Sequence, residues 1–317
     1  MRSVAASLSM ITAAAMAAAS TGVSAQVYPA RPVRMVAPEP GSSANLIARV
    51  IAQELTSALG QQVIVDNRGI VAVETVARSQ PDGYTLLFYS DPMRLTPIFH
   101  EVAWDPVKDF APIAGAARAP AVLVVHPSVP ANNVTELIAL AKAKPGQLNY
   151  GSGNSGSTPH LGGELFKSMA QVEIVRINFK GTGPAVTALL GGQVHVMFPG
   201  AGSVTQHVKA GRLKALAVAS ATASPLAPGL PTVAESGLPG FETSSHFGVF
   251  APAKTPTSIV VRLGVEIGRA LNRAEPKERL FNLGIESVPG TAEELAALVK
   301  SEMAKWSRVI KESGMRD

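Results

Sequence analysis

The chain has 317 residues, with 28 lysines and arginines against 23 aspartates and glutamates, and it contains no cysteine. Only 5% of residues are aromatic and the basic residues are scattered, so the charge pattern of a nucleic-acid interface is missing. Without cysteine there is neither a disulfide nor a lipidated N-terminal thiol, and the fold must be held by burial alone.

The first elements are those of an export signal. Arg2 gives a positive start, residues 4–19 are apolar and Ala-rich, and Val23-Ser24-Ala25 ends in small residues. The pattern predicts cleavage before Gln26 and a periplasmic protein. Removing Arg2 from 28 basic and 23 acidic residues leaves a net charge of +4, a mild field that favours an anionic solute. No later stretch can span a membrane. The most apolar one, 113–125, is broken by Arg118 and Pro120.

Beyond the signal, strand-like and helix-like segments alternate. Residues 33–37 read as a strand, followed by the loop Pro38-Glu-Pro-Gly-Ser-Ser-Ala-Asn45 and a helical pattern over 46–59 that Gly60 stops. Residues 63–65 read as a strand, 75–79 as a helix end, Pro81-Asp82-Gly83 as a turn and 85–89 as a strand. Asn133-Val-Thr-Glu136 has capping-box spacing, which explains that asparagine better than the overlapping glycosylation sequon does. A strand at 148–150 leads through Gly151-Ser-Gly-Asn-Ser-Gly-Ser-Thr158 into a helix over 159–170. A strand at 175–179 leads through Lys180-Gly-Thr-Gly183 into a helix over 184–190. Thr255-Pro256 places proline at the first helical position before 259–271. Thr291-Ala-Glu-Glu294 opens a last helix over 292–312, with Leu295, Leu298, Val299, Met303, Trp306 and Ile310 on one face.

Such alternation predicts an α/β protein with parallel sheets flanked by helices. Two extended stretches, 115–126 and 244–252, have no helix beside them and read as strands crossing between two lobes. The expected division is a signal at 1–25, a first lobe of 26–125 with 248–317, and a second lobe of 126–247.

Three of the strand-to-helix loops are rich in Gly, Ser and Thr. Each aims unpaired N–H groups and the positive end of a helix dipole outward. Around one cleft they would hold a small anion, most simply a carboxylate. The candidate ligand-binding residues are Ser42, Ser43 and Asn45 on the first loop, and Ser152, Asn154, Ser155, Ser157, Thr158, Gly181 and Thr182 on the other two. Ser90 and Asp91, at the end of a predicted strand, would line the same mouth, and His160 and His246 are further cleft candidates. No two of the six histidines have helical zinc spacing, and neither a metal nor a cofactor is expected. Gly181-Thr-Gly183 lacks the third glycine of a dinucleotide fingerprint, and no G-x-S-x-G elbow is present.

Several motifs carry a resemblance to a known family. They are Tyr28-Pro-Ala-Arg-Pro-Val-Arg34, Asp66-Asn67-Arg68, Gln80-Pro-Asp-Gly-Tyr-Thr85, Trp104-Asp-Pro-Val-Lys-Asp-Phe-Ala-Pro-Ile113, Leu189-Leu-Gly-Gly-Gln193, Lys209-Ala-Gly-Arg-Leu-Lys-Ala-Leu-Ala-Val218 and Pro231-Thr-Val-Ala-Glu-Ser-Gly-Leu-Pro-Gly240. Together they resemble the Bug family of extracytoplasmic solute receptors, the binding components of tripartite tricarboxylate transporters. The resemblance implies a periplasmic binding protein fold of the type II kind, in which two α/β lobes joined by two crossing strands close on a ligand. It implies a monomeric, non-enzymatic receptor for a small carboxylate that docks on a large and a small integral membrane subunit. A sensor docking on a signalling partner is the alternative, and a secreted α/β hydrolase the more distant one.

The chain also departs from the family pattern. Its first loop ends in Ala44-Asn45 where Thr-Asp is common, and Gly69-Ile-Val-Ala replaces a Gly-rich loop. Pro199-Gly200 stands where an aspartate is common, and His246 where an aromatic is common. The amide at 45 weakens any hold on a ligand ammonium and favours plain organic acids over amino acids.

Overall fold

The computed structural model describes residues 28–313. The expected signal and its cleavage site lie outside them. In chain order the first part holds β1 (Val33–Ala37), α1 (Ser43–Leu59), β2 (Val63–Asn67), α2 (Val71–Ala77), β3 (Thr85–Tyr89), α3 (Asp91–Phe99) and β4 (Phe110–Pro120). The middle part holds β5 (Val122–Val125), α4 (Val134–Ala143), β6 (Asn149–Ser152), α5 (Thr158–Ala170), β7 (Val175–Asn178), α6 (Thr182–Leu190), β8 (Val196–Met197), α7 (Thr205–Lys209) and β9 (Lys214–Val218). The chain then returns through β10 (Ser244–Pro252), α8 (Thr257–Asn272), α9 (Ala274–Asn282), β11 (Glu286–Gly290) and α10 (Ala292–Ser313).

Two sheets organise these elements. The first has strand order β11-β4-β10-β3-β1-β2 and the second β7-β6-β8-β5-β9. β1 pairs in parallel with β2 and β3, and β6 in parallel with β7 and β8; the remaining pairs are antiparallel. β5 shows why a run of valine and leucine is read as a doubly covered strand. Val122 and Val124 enter one apolar cluster with Leu189 and Val194, while Leu123 and Val125 enter another with Phe166 and Phe198.

The change of sheet falls at Ala121, between β4 and β5, and again across residues 219–243, against the expected changes after 125 and 247. Three backbone bonds tie the crossing strands together. Ala121 N–H donates to the Thr243 carbonyl (3.3 Å), Ala219 N–H to Ala121 (2.8 Å) and Thr243 N–H to Ala219 (2.8 Å). α10 packs back on the first sheet, where Leu295 and Val299 join Tyr89, Phe110 and Phe250.

Helix starts follow the predicted chemistry. Asn133 Oδ1 accepts from Glu136 N–H (2.8 Å). Thr291 Oγ1 accepts from Glu294 N–H (3.2 Å) while the Glu294 carboxylate accepts from Thr291 N–H (2.8 Å), a reciprocal capping box. Pro256 stands one residue earlier than expected, as the N-cap of α8 with extended ψ of 134°. α3, β8, α7, β9, α9 and β11 fall outside the expected elements. α3 begins with an acid and a proline, and its apolar residues are too few to show a period.

Candidate functional site

All three Gly/Ser/Thr-rich loops stand at the carboxyl ends of parallel strands: β1 into α1, β6 into α5 and β7 into α6. The end of β3, at Ser90, is a fourth. In open α/β sheets the crevice beyond these strand ends is the binding region, because successive loops diverge there and helix N-termini face into it. The four ends meet at one cavity. Its walls include Glu39, Ser42, Ser43 and Ala44 from the first loop, Tyr89, Ser90 and Pro92 from β3 and α3, Asn154, Ser157, Thr158 and Pro159 from the second loop, and Gly181 and Thr182 from the third. Gly200, Ser203, Ser245 and Phe247 complete it. The cavity is narrow, and Glu39 on one side reaches the Thr182 N–H on the other (2.7 Å).

Close packing delivers these loops. Gly163 lies so near β6 that a Cβ there would be 2.2 Å from the Tyr150 ring, and a Cβ at Gly162 would be 2.6 Å from Phe198. Glycine at both positions lets α5 lie flat on its sheet and carry its N-terminus to the cavity. Across the cleft, Leu95 of α3, Leu161 of α5 and Trp306 of α10 form one small apolar cluster that spans the lobes. Thr96 Oγ1 donates to the Ser155 carbonyl (2.7 Å), and the Phe99 ring meets the His160 ring edge-on with centroids 4.8 Å apart.

The expected site residues divide into two groups. Ser42, Ser43, Ser90, Asn154, Ser157, Thr158, Gly181 and Thr182 lie on the cavity wall. The other six lie off it. Asn45 takes the Ser42 cap on its N–H (3.2 Å) and offers its Oδ1 to Arg49 (3.3 Å). Ser152 Oγ accepts from Arg176 (2.8 Å), and Ser155 Oγ bonds to the His100 ring (2.9 Å). His160 Nδ1 accepts from Gly156 N–H (3.1 Å). Asp91 forms a buried ion pair with Arg94, accepts from Thr158 Oγ1 (2.9 Å) and receives the His246 N–H (3.3 Å). Burial pushes the Asp91 carboxyl up despite the Arg94 charge, and burial likewise holds the His246 imidazole below its usual value.

Glu39 carries the chemistry that the sequence reading passed over. Its carboxylate crosses the cleft and accepts the Thr182 N–H at the start of α6 (2.7 Å), with the Gly183 N–H at 3.5 Å. Desolvation raises its pKa above the usual carboxylate value, and these backbone donors oppose the rise. Tyr89, buried on the same wall, has its phenol pushed well up by burial and by the Glu39 charge. An acid isolated between Pro38 and Pro40 in a loop otherwise suited to anions was the available signal. Ser203, Ser245 and Phe247 were also missed, because no local pattern announces that they reach this wall.

This geometry defines the class: two α/β sheets on crossing strands, with a cavity at facing helix N-termini, make a two-lobed solute-binding protein. The family model described as the tripartite tricarboxylate transporter family receptor matches residues 47–315. BugT of Bordetella pertussis is 36% identical over 310 residues, covering 95% of each chain. Among solved structures, an R. palustris protein with adipate superposes with a TM-score of 0.88 at 36% identity, over 91% of this chain and 99% of that one. The periplasmic binding protein BugD superposes with a TM-score of 0.87 at 33% identity, over 91% and 99%. The chain belongs to the tripartite tricarboxylate transporter receptor family, whose members are solute-binding proteins and not enzymes.

Proposed function

We propose that this protein is a periplasmic receptor that captures a small organic carboxylate between its lobes and presents it to a membrane transporter with a large and a small integral subunit. The observation that carries this reading is the Ser157 hydroxyl. It lies on the cavity wall, buried, at the N-cap of α5, and has no hydrogen-bond partner. A buried hydroxyl left unpaired is costly, and a ligand oxygen supplies what it lacks. The Thr158 N–H opens α5 beside it, Pro159 adds no donor, and the helix dipole favours negative charge there. A related protein of known structure is solved with adipate, which agrees with an acid ligand.

The energetics are sufficient without a cation. Each hydrogen bond to a desolvated carboxylate contributes roughly 1.5–3 kcal/mol, and a micromolar ligand needs about 8 kcal/mol in all. Three or four such bonds reach that figure even after the cost of ordering the lobes. A ligand that touches both lobes binds the closed form better and shifts the population toward it. The crossing strands at Ala121, Ala219 and Thr243 are the natural hinge, and the closed form is what a membrane partner recognises.

Native mass spectrometry of gently purified protein, followed by calorimetry with a panel of carboxylic acids, tests the reading. It expects one acid per chain, bound without turnover. A panel in which no acid binds, or in which an acid is converted to product, refutes it.

A further inference from the structure

Among the described residues lining the cavity, Glu39 is the one carboxylate, and no lysine, arginine or histidine accompanies it. Its position is built. The Ser42 hydroxyl donates to the Glu39 carbonyl (2.8 Å) and the Asn67 amide donates to the Pro38 carbonyl, so the loop is braced on both sides of the acid. Opposite it, a Cβ at Gly181 would stand 2.1 Å from the Glu39 carboxyl carbon, and a Cβ at Gly183 would stand 2.1 Å from the Pro40 carbonyl oxygen. The third loop is bare of side chain at the two points where the acid and its neighbour arrive.

The donors around the cavity can be assigned in turn. At α1, Ser43 N–H is taken by Ser203 Oγ (3.0 Å) and Asn45 N–H by Ser42 Oγ (3.2 Å). At α6, Thr182 N–H is taken by Glu39 (2.7 Å). The α5 start differs: Ser157 Oγ is buried, 4% exposed for the residue as a whole, and unpartnered. Of the three Gly/Ser/Thr-rich helix starts on this wall, α6 holds the protein's own carboxylate, α1 has its Ser43 and Asn45 N–H groups taken by serine hydroxyls, and α5 keeps a buried hydroxyl without a partner.

We propose that Glu39 is a specificity-determining residue: it occupies the α6 anion position as an internal carboxylate, so the cleft selects acids with a single carboxylate, held at Ser157 and Thr158, over dicarboxylates. The inference rests on the carboxylate-receptor reading above and narrows it. A second ligand carboxylate has no counter-charge on the wall and must either displace Glu39 from Thr182 or sit beside it, where two like charges repel in a medium far less polar than water. The end of the ligand away from α5 is therefore uncharged or carries a hydrogen-bond donor that Glu39 accepts from.

Calorimetry with chain-matched pairs tests this: propionate, butyrate and hexanoate against malonate, succinate and adipate, on the wild type, Glu39→Gln and Glu39→Ala. Gln removes the charge and keeps the bulk, whereas Ala removes both; circular dichroism and melting verify that each variant is folded. The wild type should prefer the monocarboxylate in at least one pair and the dicarboxylate in none. The ratio of dicarboxylate to monocarboxylate affinity should rise at least tenfold in Glu39→Ala, which is about 1.4 kcal/mol, and move the same way in Glu39→Gln. Either a wild-type preference for dicarboxylates, or a ratio that stays within threefold in both variants, overturns the assignment. Failure of the underlying reading has a different signature: no heat with any acid, for any of the three proteins.

Discussion

Replacing Gly183 with alanine separates closure from folding. In the closed form the added Cβ would lie 2.1 Å from the Pro40 carbonyl oxygen, and the other atoms it would meet belong to Pro40 and Gly41. Every one of these neighbours is on the first loop, across the cleft, so the second lobe itself is not disturbed. Alanine is also the better helix former. Ordinary contact requires the loop and α6 to part by roughly 1 Å, a shift that backbone atoms at a packed interface do not absorb. The Glu39 bond to Thr182 N–H, now 2.7 Å, then stretches out of range. A hydrogen bond to a charged group is worth about 1.5–3 kcal/mol, so affinity for the ligand should fall about 10- to 150-fold. Calorimetry reads the affinity and small-angle scattering reads closure as a smaller radius of gyration on saturation. Gly183→Ala should keep the wild-type circular dichroism and a cooperative melt, bind weakly and contract less. A variant that binds and contracts like the wild type would show that these loops do not meet in the liganded protein.

Other perturbations have equally definite outcomes. Asp91→Ala leaves Arg94, only 1% exposed, buried without its partner; urea unfolding should show a loss of about 3–5 kcal/mol, and a loss under about 1 kcal/mol would contradict a structural role. Gly163→Ala drives a Cβ to 2.2 Å from the Tyr150 ring and should destabilise by about 1–3 kcal/mol or more through overpacking, read as a lower melting temperature, whereas an unchanged melt would contradict the packing described. The raised Glu39 pKa sets a pH dependence. The folded closed form holds this proton more tightly than the unfolded chain, so the stability it supplies is fully present below the ordinary value of 4.5 and is lost as pH rises through the folded-state value. Urea unfolding at several pH values should therefore show wild type losing stability relative to Glu39→Gln as pH rises from 4.5 toward neutrality, and a difference that grows in the opposite sense contradicts the burial of this acid.

The sequence reading reached the architecture because the strongest signals are local. The β1, β6 and β7 ends are each marked by glycine, serine and threonine before an apolar period of 3.6, and the backbone has few other ways to use that composition. β3 and β10 match their expected bounds, since runs such as 85–89 and 244–252 are flanked by turn residues or proline. The destination of individual polar side chains was less legible. Asn45, Ser152, Ser155 and His160 belong to the right loops, yet Ser152 and Ser155 turn to Arg176 and His100, which only tertiary packing supplies, and Asn45 and His160 bond to Arg49 and the Gly156 N–H, four residues away. Asp91 and Arg94 stand three apart, a spacing that marks a helical ion pair, and this was a readable sign that the acid was already engaged. Glu39 was visible as a lone acid between prolines, but its partner Thr182 is 143 residues away and no local rule connects them.

A crystal structure of the protein with a bound carboxylic acid tests the account most directly. The account predicts the carboxylate in the interlobe cavity, within hydrogen-bond distance of Ser157 Oγ and the Thr158 N–H, with Glu39 still on Thr182. An acid bound outside this cavity, or a carboxylate seated on the α6 N-terminus with Ser157 left unpaired, would contradict it.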